Sequence, residues 1–134
     1  MAAGSITVID GGSSAGKTSM ARALQALWDG TLLYLGLGTF LHEVMGPAAF
    51  RSGARAAEGV TFRALPGSEP PRMQIVYGRG VDWGVSALHQ RMALPAQRGY
   101  DIVVDHVLTE RRWLEECVTL WRDLPVLFVR AQCP

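Results

Sequence analysis

Eight residues near the start of the chain have the types and the spacing of a phosphate-binding loop. They are Gly11-Gly12-Ser13-Ser14-Ala15-Gly16-Lys17-Thr18. This run matches the Walker A pattern G-x-x-x-x-G-K-[ST], in which glycines let successive backbone N–H groups turn toward one anion. In such a loop the lysine contacts the β- and γ-phosphates of a nucleotide, and the threonine hydroxyl ligates Mg²⁺. The motif therefore predicts a site for ATP and Mg²⁺, with Lys17 as its catalytic residue and Thr18 as a metal ligand.

A second candidate metal ligand lies far along the chain, at the end of an apolar run. Ile102-Val103-Val104 is followed by Asp105, which is typical of a Walker B strand whose carboxylate holds the magnesium ion or its water shell. Many buried strands end in an aspartate that only caps a turn or a helix, so the Walker A loop is what favours the metal role. We expect His106, the next residue, to be a surface imidazole without a role at this edge of the sheet.

Short apolar strands and amphipathic helices alternate around these residues. Strands are predicted at Ile6–Ile9, Leu32–Leu35, Ile102–Asp105 and Val126–Val129, and helices at Lys17–Trp28, Thr39–Met45, Val81–Met92 and Trp113–Trp121. The alternation predicts an α/β fold with a parallel sheet and helices on both faces. Pro95 should end or kink the third helix. Between residues 46 and 80, the extended pieces Val60–Leu65 and Met73–Tyr77 flank a proline-rich turn, which predicts an inserted β-hairpin outside the main sheet.

The composition excludes several classes of protein. With 134 residues, 49% of them hydrophobic and 19% charged, the chain is neither disordered nor long enough for two full domains. Its net charge of +1 gives no general attraction to nucleic acid. Neither an interleaved series of aromatic residues nor a known nucleic-acid motif accompanies the arginines of the middle region, so we expect these to form a solvated face. They are Arg51, Arg55, Arg63, Arg72 and Arg79. No signal peptide and no apolar run of membrane-spanning length is present, so we expect a cytoplasmic protein.

The segment from Ile9 to Thr18 resembles the opening of the chloramphenicol phosphotransferase-like proteins, a family of P-loop small-molecule kinases. The likeness continues at Leu35–Phe40, at Ile102–Leu108 and at Val126–Val129, which leads to Cys133-Pro134. The resemblance implies an ATP-dependent phosphotransferase that acts on a hydroxyl of chloramphenicol or a similar small molecule. It also implies a nucleotide-kinase-like sheet in the strand order 2-3-1-4-5.

One departure from the family pattern concerns the base of the reaction. The family has an aspartate, the proposed base for the acceptor hydroxyl, where this chain has Gly38. His42 and Glu43 follow one helical turn later and are the alternative bases. An alternative function is therefore a nucleotide-binding module, truncated or degenerate, without transferase activity.

The other departure concerns the end of the chain. Family members continue past the Cys-Pro pair with an arginine-bearing lid helix and a fifth strand. We therefore expect residues 1–134 to form one kinase-like domain that is incomplete at its carboxyl end, with the strand order 2-3-1-4. Val126–Val129 should then be an exposed apolar edge strand, which promotes self-association.

Overall fold

The computed structural model describes residues 2–46 and 56–133, so Arg51 and Arg55 of the predicted basic face lie outside the described residues. The strands are β1 (Ile6–Asp10), β2 (Leu32–Gly36), β3 (Val60–Leu65), β4 (Arg72–Tyr77), β5 (Asp101–His106) and β6 (Val126–Arg130). The helices are α1 (Lys17–Leu27), α2 (Leu37–Met45), α3 (Arg79–Gln97) and α4 (Arg111–Leu120), and a 3₁₀ turn spans Ala56–Glu58. Every strand and helix predicted from the sequence is present, with ends shifted by a few residues.

The main sheet is parallel and has four strands in the order β2-β5-β1-β6. Counted among the strands of this sheet alone, the order is 2-3-1-4, which confirms the prediction. In the register of the sheet, Asp105 on β5 lies beside Ile9 on β1 and beside Gly36 on β2. The carboxyl ends of these three strands therefore meet at one edge, which is where ligands bind in open α/β sheets.

Helices cover both faces of the sheet, because side chains alternate along each strand. On one face Ile9 and Val103 form a buried cluster with Ala21 of α1, and Leu24 packs against it. On the other face His106 contacts His89 of α3. The prediction of an α/β sheet with helices on both faces is confirmed.

The contacts divide the chain into two compact units. Residues Met1–Phe40 and Ser86–Pro134 form the first unit, which contains the main sheet, and Leu41–Val85 forms the second. In the second unit β3 and β4 make a separate antiparallel hairpin, with Phe62 opposite Ile75, which confirms the inserted hairpin. Its arginines Arg63, Arg72 and Arg79 are exposed, as expected of a solvated face.

Pro95 lies inside α3, which continues two residues further, to Gln97. Proline has no backbone N–H, so the helix loses one hydrogen bond to the carbonyl of Arg91. Because Pro95 is in the last turn of the helix, its own carbonyl still accepts hydrogen bonds from Arg98 and Tyr100. The proline therefore ends the helix less abruptly than the sequence predicted.

In the described part of the chain, β6 pairs with β1 and forms one edge of the sheet. Leu127 and Phe128 on this strand are 59% and 41% exposed. The prediction of an apolar edge strand is confirmed, and self-association through it stays a prediction. Across residues 2–46 and 56–133, none of the helices has the length and apolar character that crossing a membrane requires.

Candidate nucleotide-binding site

The predicted phosphate-binding loop joins the carboxyl end of β1 to the start of α1. Ser14 has a φ of 62° and Gly16 a φ of 86°, so the chain turns through the left-handed region twice before the helix begins at Lys17. Gly11 is required for a different reason, since a Cβ there would lie 2.5 Å from the carbonyl oxygen of Ala131. The loop therefore has the tight, glycine-dependent path that the motif predicts, and it ends at the positive end of the α1 dipole.

Lys17 is folded back over this loop. Its side chain is buried, and the ammonium group donates a hydrogen bond to the carbonyl oxygen of Gly12, at 2.7 Å. The positive charge is thus held within the curve of the loop rather than in open solvent. A phosphate group bound in the loop would meet this ammonium together with the backbone N–H groups at the start of α1.

The two predicted metal ligands lie side by side although 87 residues separate them in the chain. The Thr18 hydroxyl donates a hydrogen bond of 2.5 Å to Oδ2 of Asp105, and the Tyr34 hydroxyl donates to the same oxygen at 3.3 Å. Hydroxyl and carboxylate oxygens are ligands that Mg²⁺ prefers, so Thr18 and Asp105 fit a magnesium ion. Among the described residues, no three His, Cys, Asp or Glu side chains form a metal site, so most ligands of such an ion would be phosphate oxygens and water.

Tyr34 is a donor to Asp105 because it keeps its proton. Burial raises the pKa of Tyr34 above its usual value of 10.0, and the negative charge of Asp105 raises it further. The hydroxyl reaches the carboxylate by crossing over Gly36, where a Cβ would lie 2.7 Å from the Tyr34 oxygen.

A cavity of about 560 Å³ opens in front of the loop, between α1 and the carboxyl ends of β2 and β5. Lys17, Arg22, Tyr34, Gly38 and Asp105 are among its lining residues. A second recess of about 480 Å³ lies on the other side of the loop and is lined in part by Gly12, Ala15, Arg130 and Gln132. The phosphate-binding loop therefore has open space on both sides.

Gly38 places no functional group in the cavity, and a Cβ added there would meet nothing within 4 Å. The proposed alternative bases, His42 and Glu43, are exposed on α2 and belong to the second unit. Gly38 therefore supplies no base to the cavity, and both alternative bases lie in the second unit.

The loop after β5 is held by Asp10, at the end of β1. Its Oδ1 accepts a hydrogen bond of 2.7 Å from the backbone N–H of Leu108. This bond holds in place the chain next to Val107, which lines the cavity. The sequence reasoning did not single out Asp10, because its partner lies 98 residues away.

His106 was expected at the surface, and this expectation is wrong: the side chain is fully buried. Asp105 and His106 are consecutive in β5, so their side chains point to opposite faces of the sheet. Asp105 faces the cavity, whereas His106 faces α3 and α4, where Nε2 of His106 lies 2.9 Å from Nε2 of His89. Glu116 completes the chain of contacts, with Oε2 2.7 Å from Nδ1 of His89.

These contacts determine which ring nitrogens of His89 and His106 carry a proton. Nδ1 of His89 donates to Glu116, so neutral His89 accepts at Nε2 and His106 donates from its own Nε2. Burial, together with the neighbouring His89, lowers the pKa of His106 to about 3. Burial also lowers the pKa of His89, and Glu116 opposes that change. Both rings are therefore neutral at neutral pH.

A four-stranded parallel sheet of this order, with a phosphate-binding loop after its first strand, is the fold of the P-loop kinases. Three solved structures share it: a Pnkp1/Rnl/Hen1 RNA repair complex (10% identity, TM-score 0.66), the APS kinase CysC of Mycobacterium tuberculosis (15%, 0.64) and a sugar kinase of a Janibacter species (17%, 0.57). They cover 100%, 100% and 98% of this chain, which in turn covers 35%, 82% and 61% of theirs. The chain thus spans about a third of the RNA repair protein, and at these identities the likeness shows the fold alone.

The family follows from the sequence itself. The profile of the chloramphenicol phosphotransferase-like proteins matches residues 4–134, so the chain belongs to this family. No curated protein matches the chain. The resemblance drawn from the motifs is therefore confirmed, and the match includes the region between residues 46 and 80.

Among the residues that line the cavity, the sequence did not single out Arg22 and Tyr34. Arg22 carries a signal in hindsight, because it follows Thr18 by four residues on a helix and so shares its face. Tyr34 carries none, since its contact with Asp105 depends on which strands are neighbours and in which register.

Proposed function

We propose that this protein transfers the γ-phosphoryl group of ATP to a hydroxyl group of a small molecule, and that chloramphenicol is the first acceptor to test. The observation that carries the proposal is the meeting of Lys17, Thr18 and Asp105 at one edge of the sheet, beside an open cavity. Membership of the chloramphenicol phosphotransferase-like family supports the acceptor.

In the proposed reaction the chain binds and orients, and it forms no covalent bond with substrate. The acceptor oxygen forms a bond to the γ-phosphorus, the bond from that phosphorus to the β,γ-bridging oxygen breaks, and ADP leaves with the electron pair. Lys17 and the backbone N–H groups of the loop stabilise the charge on the phosphate oxygens. Thr18 and Asp105 would hold a Mg²⁺ ion, which when bound neutralises further phosphate charge.

The proton of the acceptor hydroxyl leaves to water in this proposal, because Gly38 offers no base. Phosphoryl transfer through a loose transition state depends on positioning and charge more than on proton removal. The absence of a base therefore slows the reaction without abolishing it. The rate falls by at most the roughly 10²- to 10⁴-fold that a positioned base contributes.

A second candidate function, a nucleotide-binding module without transferase activity, is favoured by the same residue. Gly38 lines the cavity and brings no side chain to it. In this case the loop binds ATP, and no acceptor accelerates its hydrolysis.

Turnover of Mg-ATP with and without chloramphenicol distinguishes the two functions. Acceptor-dependent formation of ADP, with a phosphate ester on the acceptor detected by mass spectrometry, supports the kinase. The variant Gly38→Asp should turn over faster, since the space around Gly38 admits a side chain and the carboxylate supplies a base. Gly38→Asn is the matched control, because it has the same shape without the base. ATP binding with no acceptor-dependent turnover in any of these proteins would support the binding module instead.

A further inference from the structure

We propose that Arg22 and Tyr34 form an anion-binding subsite beside the phosphate loop, in which Arg22 binds an anionic oxygen group of a substrate. This group is either the γ-phosphoryl group of the nucleotide or a phosphate or carboxylate on the acceptor. The inference rests on the proposed function, because it concerns the same cavity and names the chemistry of what enters it.

The position of Arg22 follows from the helix that carries it. Thr18 and Arg22 are four residues apart on α1, so they lie on the same helix face, one turn apart. The Thr18 hydroxyl points to Asp105. Arg22 therefore lines the same cavity, on the side of the β2 strand.

The guanidinium group of Arg22 lies on the ring of Tyr34. Its central carbon is 4.1 Å from the ring centroid, the distance of a cation–π contact. Nη1 donates a hydrogen bond of 2.8 Å to Oε1 of Gln25. The cation–π contact is with the ring face, and the hydrogen bond to Gln25 is made by Nη1, so the other N–H groups of the guanidinium can donate to a planar or tetrahedral oxygen group.

The platform under Arg22 is itself held in place. The Tyr34 hydroxyl donates to Asp105, and the ring passes over Gly36, where any side chain would collide with it. The partly buried ring also packs against the buried cluster between α1 and the sheet. A bound anion would therefore meet a guanidinium whose orientation is largely set beforehand, which reduces the entropy that binding costs.

Arg22 has no carboxylate partner among the residues that the structure describes. Arg111 offers a comparison, because it also contacts a side chain about one turn further along its helix, and there the partner is a carboxylate: Nε of Arg111 lies 2.7 Å from Oε1 of Glu115. For Arg22 the described part of the chain supplies only the neutral oxygen of Gln25 and the ring of Tyr34. A cation at the wall of a phosphate cavity that forms no ion pair with a described carboxylate fits an anion from the substrates.

Calorimetric titration of Arg22→Met tests the proposal, since methionine keeps much of the apolar stem and removes the charge. Arg98→Met is the matched control: this exposed arginine precedes β5 and so lies at the opposite edge of the sheet. The titrants are Mg-ADP, the Mg complex of the non-hydrolysable analogue AMPPNP, and inorganic phosphate added to protein loaded with AMPPNP. We expect Arg22→Met to weaken one of these by roughly 10- to 100-fold, the value of a charge-assisted hydrogen bond.

The pattern of losses identifies the source of the anion. Weaker AMPPNP binding with unchanged ADP binding assigns Arg22 to the γ-phosphoryl group. Unchanged nucleotide binding with loss of the inorganic phosphate assigns it to an anionic acceptor. Equal affinities for all three titrants in native and Arg22→Met protein, or equal losses in Arg98→Met, overturn the proposal.

The failure of the proposed function gives a different result. If the native protein binds neither nucleotide, that function fails, and inorganic phosphate alone then tests the subsite. Phosphate bound by the native protein and lost in Arg22→Met supports the subsite; phosphate bound equally by both, or by neither, overturns it.

Discussion

The buried histidine pair should make the protein sensitive to mild acid. The pKa of His106 is about 3 in the folded chain and 6.5 in an unfolded one. Between these values the unfolded chain binds a proton at His106 that the folded chain does not, so acid favours unfolding. The contribution of neutral His106 is complete above about pH 7.5 and is lost progressively as the pH falls through 6.5 toward 3.

The size of the effect follows from these two pKa values. A pH of about 5 lies roughly 1.5 units below the pKa of an unfolded histidine, and protonation stabilises the unfolded chain by about 1.4 kcal/mol for each unit. His106 alone should therefore lower the free energy of unfolding by ~2 kcal/mol between about pH 7.5 and pH 5. This is a large share of the ~5–15 kcal/mol of a typical domain. His89, whose pKa is also lowered by burial, acts in the same direction.

Urea denaturation of the native protein and of His106→Gln measures this contribution. Glutamine does not titrate, and its amide N–H can replace the donor that faces His89. We expect the variant to be less stable at pH 7.5 but to lose ~2 kcal/mol less than the native protein between about pH 7.5 and pH 5. Above about pH 7.5 the difference between the two proteins should stay constant. Equal losses in both proteins would refute the depressed pKa of His106 and the neutral pair derived from it.

Three further predictions concern the loop, the tyrosine and the edge strand. Lys17→Ala should weaken ATP binding by about 1.5–3 kcal/mol, because a buried ammonium that faces phosphate is lost; unchanged affinity by calorimetry would contradict the phosphate-loop assignment. Gly36→Ala should push the Tyr34 hydroxyl away from Asp105 and bring the pKa of Tyr34 back toward 10.0. Absorbance titration measures this pKa, and the variant Tyr34→Phe identifies the signal of Tyr34. An unchanged titration would contradict the close approach of the Tyr34 ring to Gly36. Leu127→Lys should reduce self-association at micromolar concentration, since a charge on an edge strand blocks pairing with a second chain. A native protein that is monomeric by light scattering would contradict self-association through this strand.

The sequence predicted those features that depend on residues close together in the chain, and it predicted few contacts between distant elements. The phosphate loop was predictable because Gly11 to Thr18 are consecutive and their types alone determine the turn. Asp105 was predictable because the apolar strand before it places it at the same sheet edge. The surroundings of His106 were not, because its burial depends on α3 and α4 packing over that face, and a single sequence does not show which helix covers which strand.

The Tyr34 and Arg22 pair shows the same limit from the other side of the sheet. Tyr34 reads as one more apolar residue of a buried strand, and Arg22 as one more exposed helix residue. The role proposed for them follows only when β2 is placed beside β5, since Tyr34 then reaches Asp105 across Gly36. Physical chemistry could name the groups that bind phosphate, but the strand register decided which neighbours support them.

The opposite orientations of Asp105 and His106 also protect the site against misfolding. A slip of β5 by one residue against β1 would exchange the two faces of the strand. It would press a carboxylate against His89 and turn an imidazole toward Thr18, leaving buried polar groups unpaired on one side and removing the oxygen donor on the other. The hydrogen bond between the two histidines is satisfied only in the native alignment. The interior of the protein, on the sheet face opposite to the cavity, thus selects the strand alignment that places the Asp105 carboxylate beside the phosphate loop.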